Sequence, residues 1–177
     1  VNIILIGYRG TGKSTVARLL ASRLGWQWVD ADACLEDRAG QSIREIFARE
    51  GEAGFRDREA SVIADLTARD RHVIAAGGGA ILREDNRQAI RRSGFTVWLV
   101  ASAATIAQRI AADPLTASRR PPLTQGDAAT EIRELLQRRE PVYRACADYV
   151  IDSERQSPDE MAQEIEAVFA RQPGLTE

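Results

Sequence analysis

The 177-residue chain is short of several things: it has one His, two Cys, one Met and 6% aromatic residues, and among its 24 basic residues a single lysine, Lys13. A bias toward arginine codons accounts for the other basic residues on the surface, but it does not account for the exception. Cys34 and Cys146 stand far apart and form no CxxC pair, so two reduced thiols of a cytoplasmic protein are expected. No apolar run approaches the roughly 18 residues of a membrane span, and no leader pattern of charged, apolar and small residues follows Val1. There is no basic block either. With 26 acidic residues against the 24 basic ones, the net charge of -2 gives no electrostatic footprint for nucleic acid. Neither a membrane nor a nucleic-acid partner is expected. No large apolar interface is marked, so the expected state is a monomer.

What is present is an alternation of short apolar runs with longer helical stretches, the pattern of a parallel sheet wrapped by helices. Strands are predicted at Asn2–Ile6, 26–30, 72–76, 96–100 and Tyr149–Asp152. The first crossover helix, Lys13–Leu24, carries Val16, Leu19, Leu20 and Leu24 at helical spacing and stops at Gly25. Two helices, 42–50 and 53–69, separated by Gly51 and Gly54, form an insertion between the second and third strands. A further helix starts near Ala33, and others are predicted at 84–92, 103–111, 128–145 and 157–171, the last with a Ser-Pro-Asp-Glu start suited to capping. No repeat or second core divides the chain, so one domain, 1–177, is expected. Two segments do not fit a packed core. Residues 113–126, DPLTASRRPPLTQG, read as a mobile loop of a length reserved for lids and binding loops. Gly77, Gly78 and Gly79 follow an apolar strand directly, where backbone amides without side chains can approach a ligand closely.

The segment GYRGTGKS at 7–14 matches G-x-x-x-x-G-K-[ST] in full, after a buried-type strand and before an amphipathic helix, the context that motif requires. Its amides and helix dipole suit a nucleotide phosphate, Lys13 the β- and γ-phosphates, and the Ser14 hydroxyl a Mg²⁺ ion. A lone lysine placed at random among the basic positions would land on the motif about once in 24. With no second lysine the Asn/Thr-Lys-x-Asp signature of guanine readers is absent, so ATP is expected. Glycines occupy the end of the third strand, where many P-loop ATPases keep a metal-holding Asp. The acids nearest a strand end are Asp30 and Asp32 in WVDAD, and two acids so spaced can divide the work, the first on Mg²⁺ and the second on an acceptor hydroxyl. An N-cap role for Asp32 stays open beside this.

These residues resemble a known family. GYRGTGKST, WVDADACLEDRAGQSIREIFAREGEAGFRDRE, VIAAGGGAI, SRRPPL and LLQRREPVYRACAD, in that order and across nearly the whole chain, are similar to the shikimate kinases. The resemblance implies a three-layer α/β P-loop kinase fold with a five-stranded parallel sheet in the order 2-3-1-4-5, a substrate-binding insertion at about 31–60 and a lid at about 112–126. It implies ATP and Mg²⁺ as cofactors, shikimate as the small-molecule substrate and transfer of the γ-phosphoryl group to its 3-hydroxyl, a step toward chorismate and the aromatic amino acids.

By the same resemblance Asp32, Lys13 and Arg120 are catalytic, with Asp32 also binding shikimate hydroxyls. Gly10, Thr11, Gly12, Lys13, Ser14, Thr15, Arg109, Arg120 and Arg155 hold the nucleotide, Arg109 and Arg155 along the adenine. Arg56 and Arg139 hold the substrate carboxylate, Gly77, Gly78 and Gly79 offer it amides, and Glu59 buttresses it. Ser14 and Asp30 serve the metal. Arg119 beside Arg120 leaves open which of them meets the phosphates. The residues alone do not select Arg56 over Arg58 or Arg139 over Arg138, and Arg9, Arg18 and Arg23 read as solvated or structural. Pro122 departs from the family's usual single proline and is expected to stiffen the lid. A gluconate-kinase-like enzyme with the same phosphate loop, or a nucleotide-binding module without catalysis, are the alternatives.

Overall fold

The computed structural model of the chain describes residues 1–113 and 128–174. Five parallel strands, β1 (Asn2–Ile6), β2 (Gln27–Asp30), β3 (His72–Ala75), β4 (Gly94–Val100) and β5 (Tyr149–Asp152), form one sheet in the order β2-β3-β1-β4-β5. Strand β1 is central and wholly buried because its five residues, NIILI, must face helices on both sides. Period-two alternation assigns the two faces. Ile4 and Ile6 join Ile74, Ala76 and Trp98 beneath α2 (Ala31–Ala39), α3 (Ile43–Thr67), α4 (Glu84–Ser93) and α6 (Ala128–Cys146). Ile3 and Leu5 join Val73, Ala75, Val97 and Leu99 beneath α1 (Lys13–Leu24) and α7 (Pro158–Phe169). Helix α5 (Ala103–Ala112) packs with α6 around Tyr8, Ile106 and Ile132.

Several boundaries differ from those predicted, each for a local reason. The insertion, α3, is two helical stretches in succession, as predicted, separated at Gly51, whose φ of 69° and ψ of -173° leave the helical region; Gly54 stays helical and takes no part in the break. Its start is a capping box, with Ser42 Oγ accepting from the Glu45 amide and the Glu45 carboxylate accepting from the Ser42 amide. Helix α6 runs through Pro141 at the loss of one backbone donor. Strand β2 starts at Gln27, after Trp26 has turned to meet Phe169 edge-on at 5.5 Å, and Trp28, on this edge strand, is 43% exposed. Strand β3 ends at Ala75, and residues 77–79 lead into a short 3₁₀ turn, Ala80–Leu82. His72 is a structural residue, its amide donating to Asn2 Oδ1 at 3.0 Å. The predicted lid, with Arg119 and Arg120, lies outside the described residues.

Candidate active site

The carboxyl ends of β1, β2 and β3 and the start of α1 open onto one edge of the sheet, the position at which open α/β folds bind ligands. A cavity of about 350 Å³ lies there, lined by Arg9, Gly10 and residues 12–15, by Asp30 and Asp32, by Gly78 and by Arg109 and Asp113. The turn from β1 into α1 needs glycine at defined points. Gly7 has φ 139°, and a Cβ on it would lie 2.5 Å from the Leu99 carbonyl oxygen; Gly12, at φ 91°, is the N-cap of α1 and offers no capping side chain. The first amides of α1 are thus left for an external acceptor, while α2, α3, α5 and α7 are all capped by their own side chains. Lys13 is buried along its stem, and its Nζ donates to the carbonyls of Gly7 at 2.9 Å and Tyr8 at 2.8 Å, which holds the ammonium over the loop.

Asp30 organises the entrance of the acceptor side. Its Oδ1 accepts from the amides of Asp32 at 3.0 Å and Ala33 at 3.1 Å, and its Oδ2 accepts from Ser14 Oγ at 2.5 Å. The N-cap of α2 is therefore Asp30, which corrects the cap reading of Asp32: α2 begins at Ala31, earlier than the WVDAD pattern suggests. Asp32 sits in the first turn instead, with its side chain on the cavity wall. Ser14 and Asp30 bring two hard oxygen donors together, which fits Mg²⁺, an ion that takes one or two carboxylates and completes its shell with phosphate and water. Among the described residues there is no cluster of three or more His, Cys, Asp or Glu side chains that would hold a metal without such help.

The rest of the acceptor side is built around residues 77–79. A Cβ on Gly77 would lie 2.7 Å from Asp32 Oδ1 and 2.8 Å from Glu59 Oε1. One on Gly78 would lie 3.3 Å from the Arg9 amide nitrogen, and one on Gly79 would strike the Arg56 guanidinium. None of the three has a positive φ. Their requirement for glycine is close approach, since an acid pair, the phosphate loop and an arginine press on three successive residues. Arg56 Nη1 donates to Glu59 Oε2 at 2.7 Å and Nη2 to Glu52 Oε1 at 3.3 Å, with the guanidinium 5.2 Å from the Phe55 ring centre. The Arg56 side chain is 13% exposed and that of Glu59 3%, so the pair is fixed rather than solvated. Arg58 instead is exposed and pairs with Glu50 at 2.8 Å. Likewise Arg138 is exposed, whereas Arg139 is half-buried with its guanidinium 5.7 Å from the Tyr8 ring centre.

The nucleotide residues named from the sequence divide. Gly10, Gly12, Lys13, Ser14, Thr15 and Arg109 line the cavity. Thr11 does not: its side chain is buried and donates to the Tyr8 carbonyl at 2.8 Å, so only its backbone faces the loop interior. Arg109 donates to Ser153 Oγ at 3.0 Å, to the Ser153 carbonyl at 2.7 Å and to the Gly10 carbonyl at 3.3 Å, clamping the loop to the residue after β5. Arg155 is 84% exposed, pairs with Asp152 at 3.1 Å and is not on the cavity wall. Three contributors escape sequence reasoning. Arg9, whose reading from sequence is solvated or structural, lines the cavity, as does Asp113, and the fully buried Tyr143 donates its hydroxyl to the Gly78 carbonyl. Arg9 lies inside the phosphate-loop motif and was the one that its position could have marked.

A family model described as shikimate kinase matches residues 9–170. The chain belongs to the shikimate kinase family. The shikimate kinase of Rhodopirellula baltica is 48% identical to it over 93% of this chain and 88% of that protein, and the one from Symbiobacterium thermophilum is 46% identical over 93% and 94%. Among solved structures, a shikimate kinase from Acinetobacter baumannii in complex with shikimate superposes with a TM-score of 0.89 at 38% identity, covering 96% of this chain and 92% of that one. A gluconokinase from Sinorhizobium meliloti shares the fold alone, with a TM-score of 0.57 at 18% identity over 96% and 91% of the two chains. The protein is a shikimate kinase by these relationships, and ATP-dependent phosphoryl transfer is its chemistry.

Proposed function

We propose that the enzyme moves the γ-phosphoryl group of ATP to the 3-hydroxyl of shikimate, giving shikimate 3-phosphate and ADP, with the roles divided as follows. The amides of residues 10–15 and the Lys13 ammonium hold the β- and γ-phosphates and take up charge as the phosphoryl group leaves. Ser14 and Asp30 would hold Mg²⁺, which supplies charge neutralisation between the phosphates. Asp32 accepts the hydrogen bond of the acceptor hydroxyl and then its proton. Arg56, kept in place by Glu59, and Arg139, laid against Tyr8, bind the substrate carboxylate as planar forks. Gly77, Gly78 and Gly79 present backbone to the ring hydroxyls. Arg109, held by Gly10 and Ser153, lies along the adenine, and the exposed Arg155 keeps the adenine role that the family resemblance gives it. Arg120 keeps the phosphate-contacting role that the family resemblance gives it.

The observation that carries this reading is the turn at residues 77–79, where Asp32 with Glu59, the phosphate loop and Arg56 meet three consecutive glycines within contact distance. It supports a reading in which the base, the phosphate site and one arginine of the carboxylate clamp meet at one turn. We further propose one unit over 1–177, with the substrate insertion at about 31–60, acting as a monomer in the cytoplasm apart from nucleic acid. No helix among the described residues is long and apolar enough to cross a membrane.

The test is ADP release with Mg-ATP and shikimate, gluconate or no acceptor. Shikimate-dependent turnover alone is expected; turnover without acceptor, or a preference for gluconate, would sink the reading. Within it, Asp32→Asn is expected to lower kcat roughly 100-fold or more with a small change in shikimate affinity. Arg139→Ala is expected to do the reverse, raising the shikimate Kd by about 10- to 100-fold.

A further inference from the structure

Tyr143 is fully buried on α6, four residues after Arg139 and therefore on the same helix face one turn along. Its hydroxyl donates to the carbonyl of Gly78, the central glycine of the acceptor-side turn. Its ring stacks on Trp98 of β4, with centroids 5.5 Å apart and planes 11° from parallel, and the Arg144 guanidinium lies 5.6 Å from the Trp98 ring centre. Gly78 in turn lies against the phosphate loop at Arg9 and Tyr8, and the Tyr8 ring carries the Arg139 guanidinium. One helix face therefore touches the acceptor side at two points that come from distant parts of the chain. Arg139 reaches the loop, and Tyr143 reaches the glycine turn.

We propose that Tyr143 is a positioning residue for shikimate, a strut that fixes the distance between the Arg139 carboxylate clamp and the Gly78 backbone. The proposal rests on the reading of Arg139 given above. The hydroxyl is suited to the task. A helix spends its backbone donors and acceptors within itself and reaches a neighbouring turn through its side chains, and three glycines in a row have no side chains with which to anchor themselves. A single donor from a ring held by stacking supplies both, and the ring's rigidity passes the position of α6 to the turn. Removing the hydroxyl leaves a buried carbonyl without its donor, so the turn shifts toward another partner while the hydrophobic stack stays. Misplacement at a substrate-positioning contact is costly even at a fraction of an ångström.

The experiment is a double-mutant cycle read by shikimate and ADP titrations on the whole enzyme: wild type, Tyr143→Phe, Arg139→Ala and the double variant. Tyr143→Phe keeps the ring and its stack. It is expected to weaken shikimate binding roughly 5- to 10-fold while ADP binding stays within about 2-fold. In the Arg139→Ala background the same change is expected to have less than about a 2-fold effect, because the clamp it positions is already gone. An unchanged shikimate Kd in Tyr143→Phe overturns the proposal. So do effects that multiply in the double variant, or a parallel loss of ADP binding, since either makes Tyr143 a packing residue with no specific tie to Arg139. If Arg139→Ala itself leaves shikimate binding intact, the carboxylate assignment fails first and the strut falls with it. If Arg139→Ala weakens binding and Tyr143→Phe does not, the strut alone fails.

Discussion

At the scale of the residue, the site depends on what is missing at 77–79 as much as on the charges around it. A methyl group at 79 would occupy the space of the Arg56 guanidinium and force it away from Glu59, whose carboxylate is buried. Gly79→Ala is therefore expected to raise the KM for shikimate about 10-fold or more, to leave the KM for ATP nearly unchanged and to lower Tm, since the buried Glu59 carboxylate loses its partner. An equal rise in both KM values would mean that the turn, not the arginine, had been displaced. Lys13 was legible from sequence because a motif with fixed spacing falls on the chain's one lysine. Arg56 and Arg139 were not legible from the residues alone, since each has an arginine neighbour of the same composition and pattern. What separates them is burial and a ring to lie on, the neighbouring Phe55 for one and Tyr8 for the other, and the second contact joins parts of the chain that no local pattern connects.

At the scale of the element, helix starts carry much of the local information, and they were read with mixed success. The Ser-Pro-Asp-Glu start of α7 is a capping box with Pro at the first turn, as its sequence announces. Asp30 and Asp32 were harder to separate, because either acid could precede a helix and the backbone φ of the residue decides. Ser157 also gives a prediction. Its hydroxyl and amide hold the Glu160 carboxyl below its ordinary value of 4.5, the amide contributing most. A carboxyl depressed by folding adds stability that is present above its unfolded pKa and lost as pH falls through the lower folded value. Ser157→Ala is expected to cost about 1 kcal/mol at pH 7, a fall in Tm of roughly 2–4 °C. The gap between variant and wild type should narrow as the pH falls through the lowered pKa of Glu160 and that carboxyl takes up its proton. A gap that is constant from pH 7 to pH 3 would show that the loss comes from the hydroxyl bond to the Glu160 amide alone.

At the scale of the whole molecule, the sheet order was legible through the family resemblance, and the alternation of apolar runs supported it. The meeting of three separate segments at one sheet edge was not, because it depends on crossover connections that a linear pattern does not measure. That meeting makes ligand binding a property of the global fold. The phosphate loop joins β1 to α1 at the centre of the core, so a nucleotide bound there stabilises the folded chain and not the unfolded one. At 100 times its Kd, Mg-ADP is expected to add about 2.7 kcal/mol, which for a chain of this size raises Tm by roughly 5–11 °C. Lys13→Met keeps the length of the buried stem and removes the ammonium that donates to the Gly7 and Tyr8 carbonyls. At the same ADP concentration the variant should lose most of the shift, since its Kd rises. Shikimate should still raise its Tm, because Asp32, Arg56 and Arg139 come from α2, α3 and α6 and not from the loop. Differential scanning fluorimetry with each ligand separately reads both shifts. If the lysine change abolishes the shikimate shift as well, the two halves of the site are one cooperative unit, and the assignment of nucleotide and acceptor to separate sets of residues is wrong.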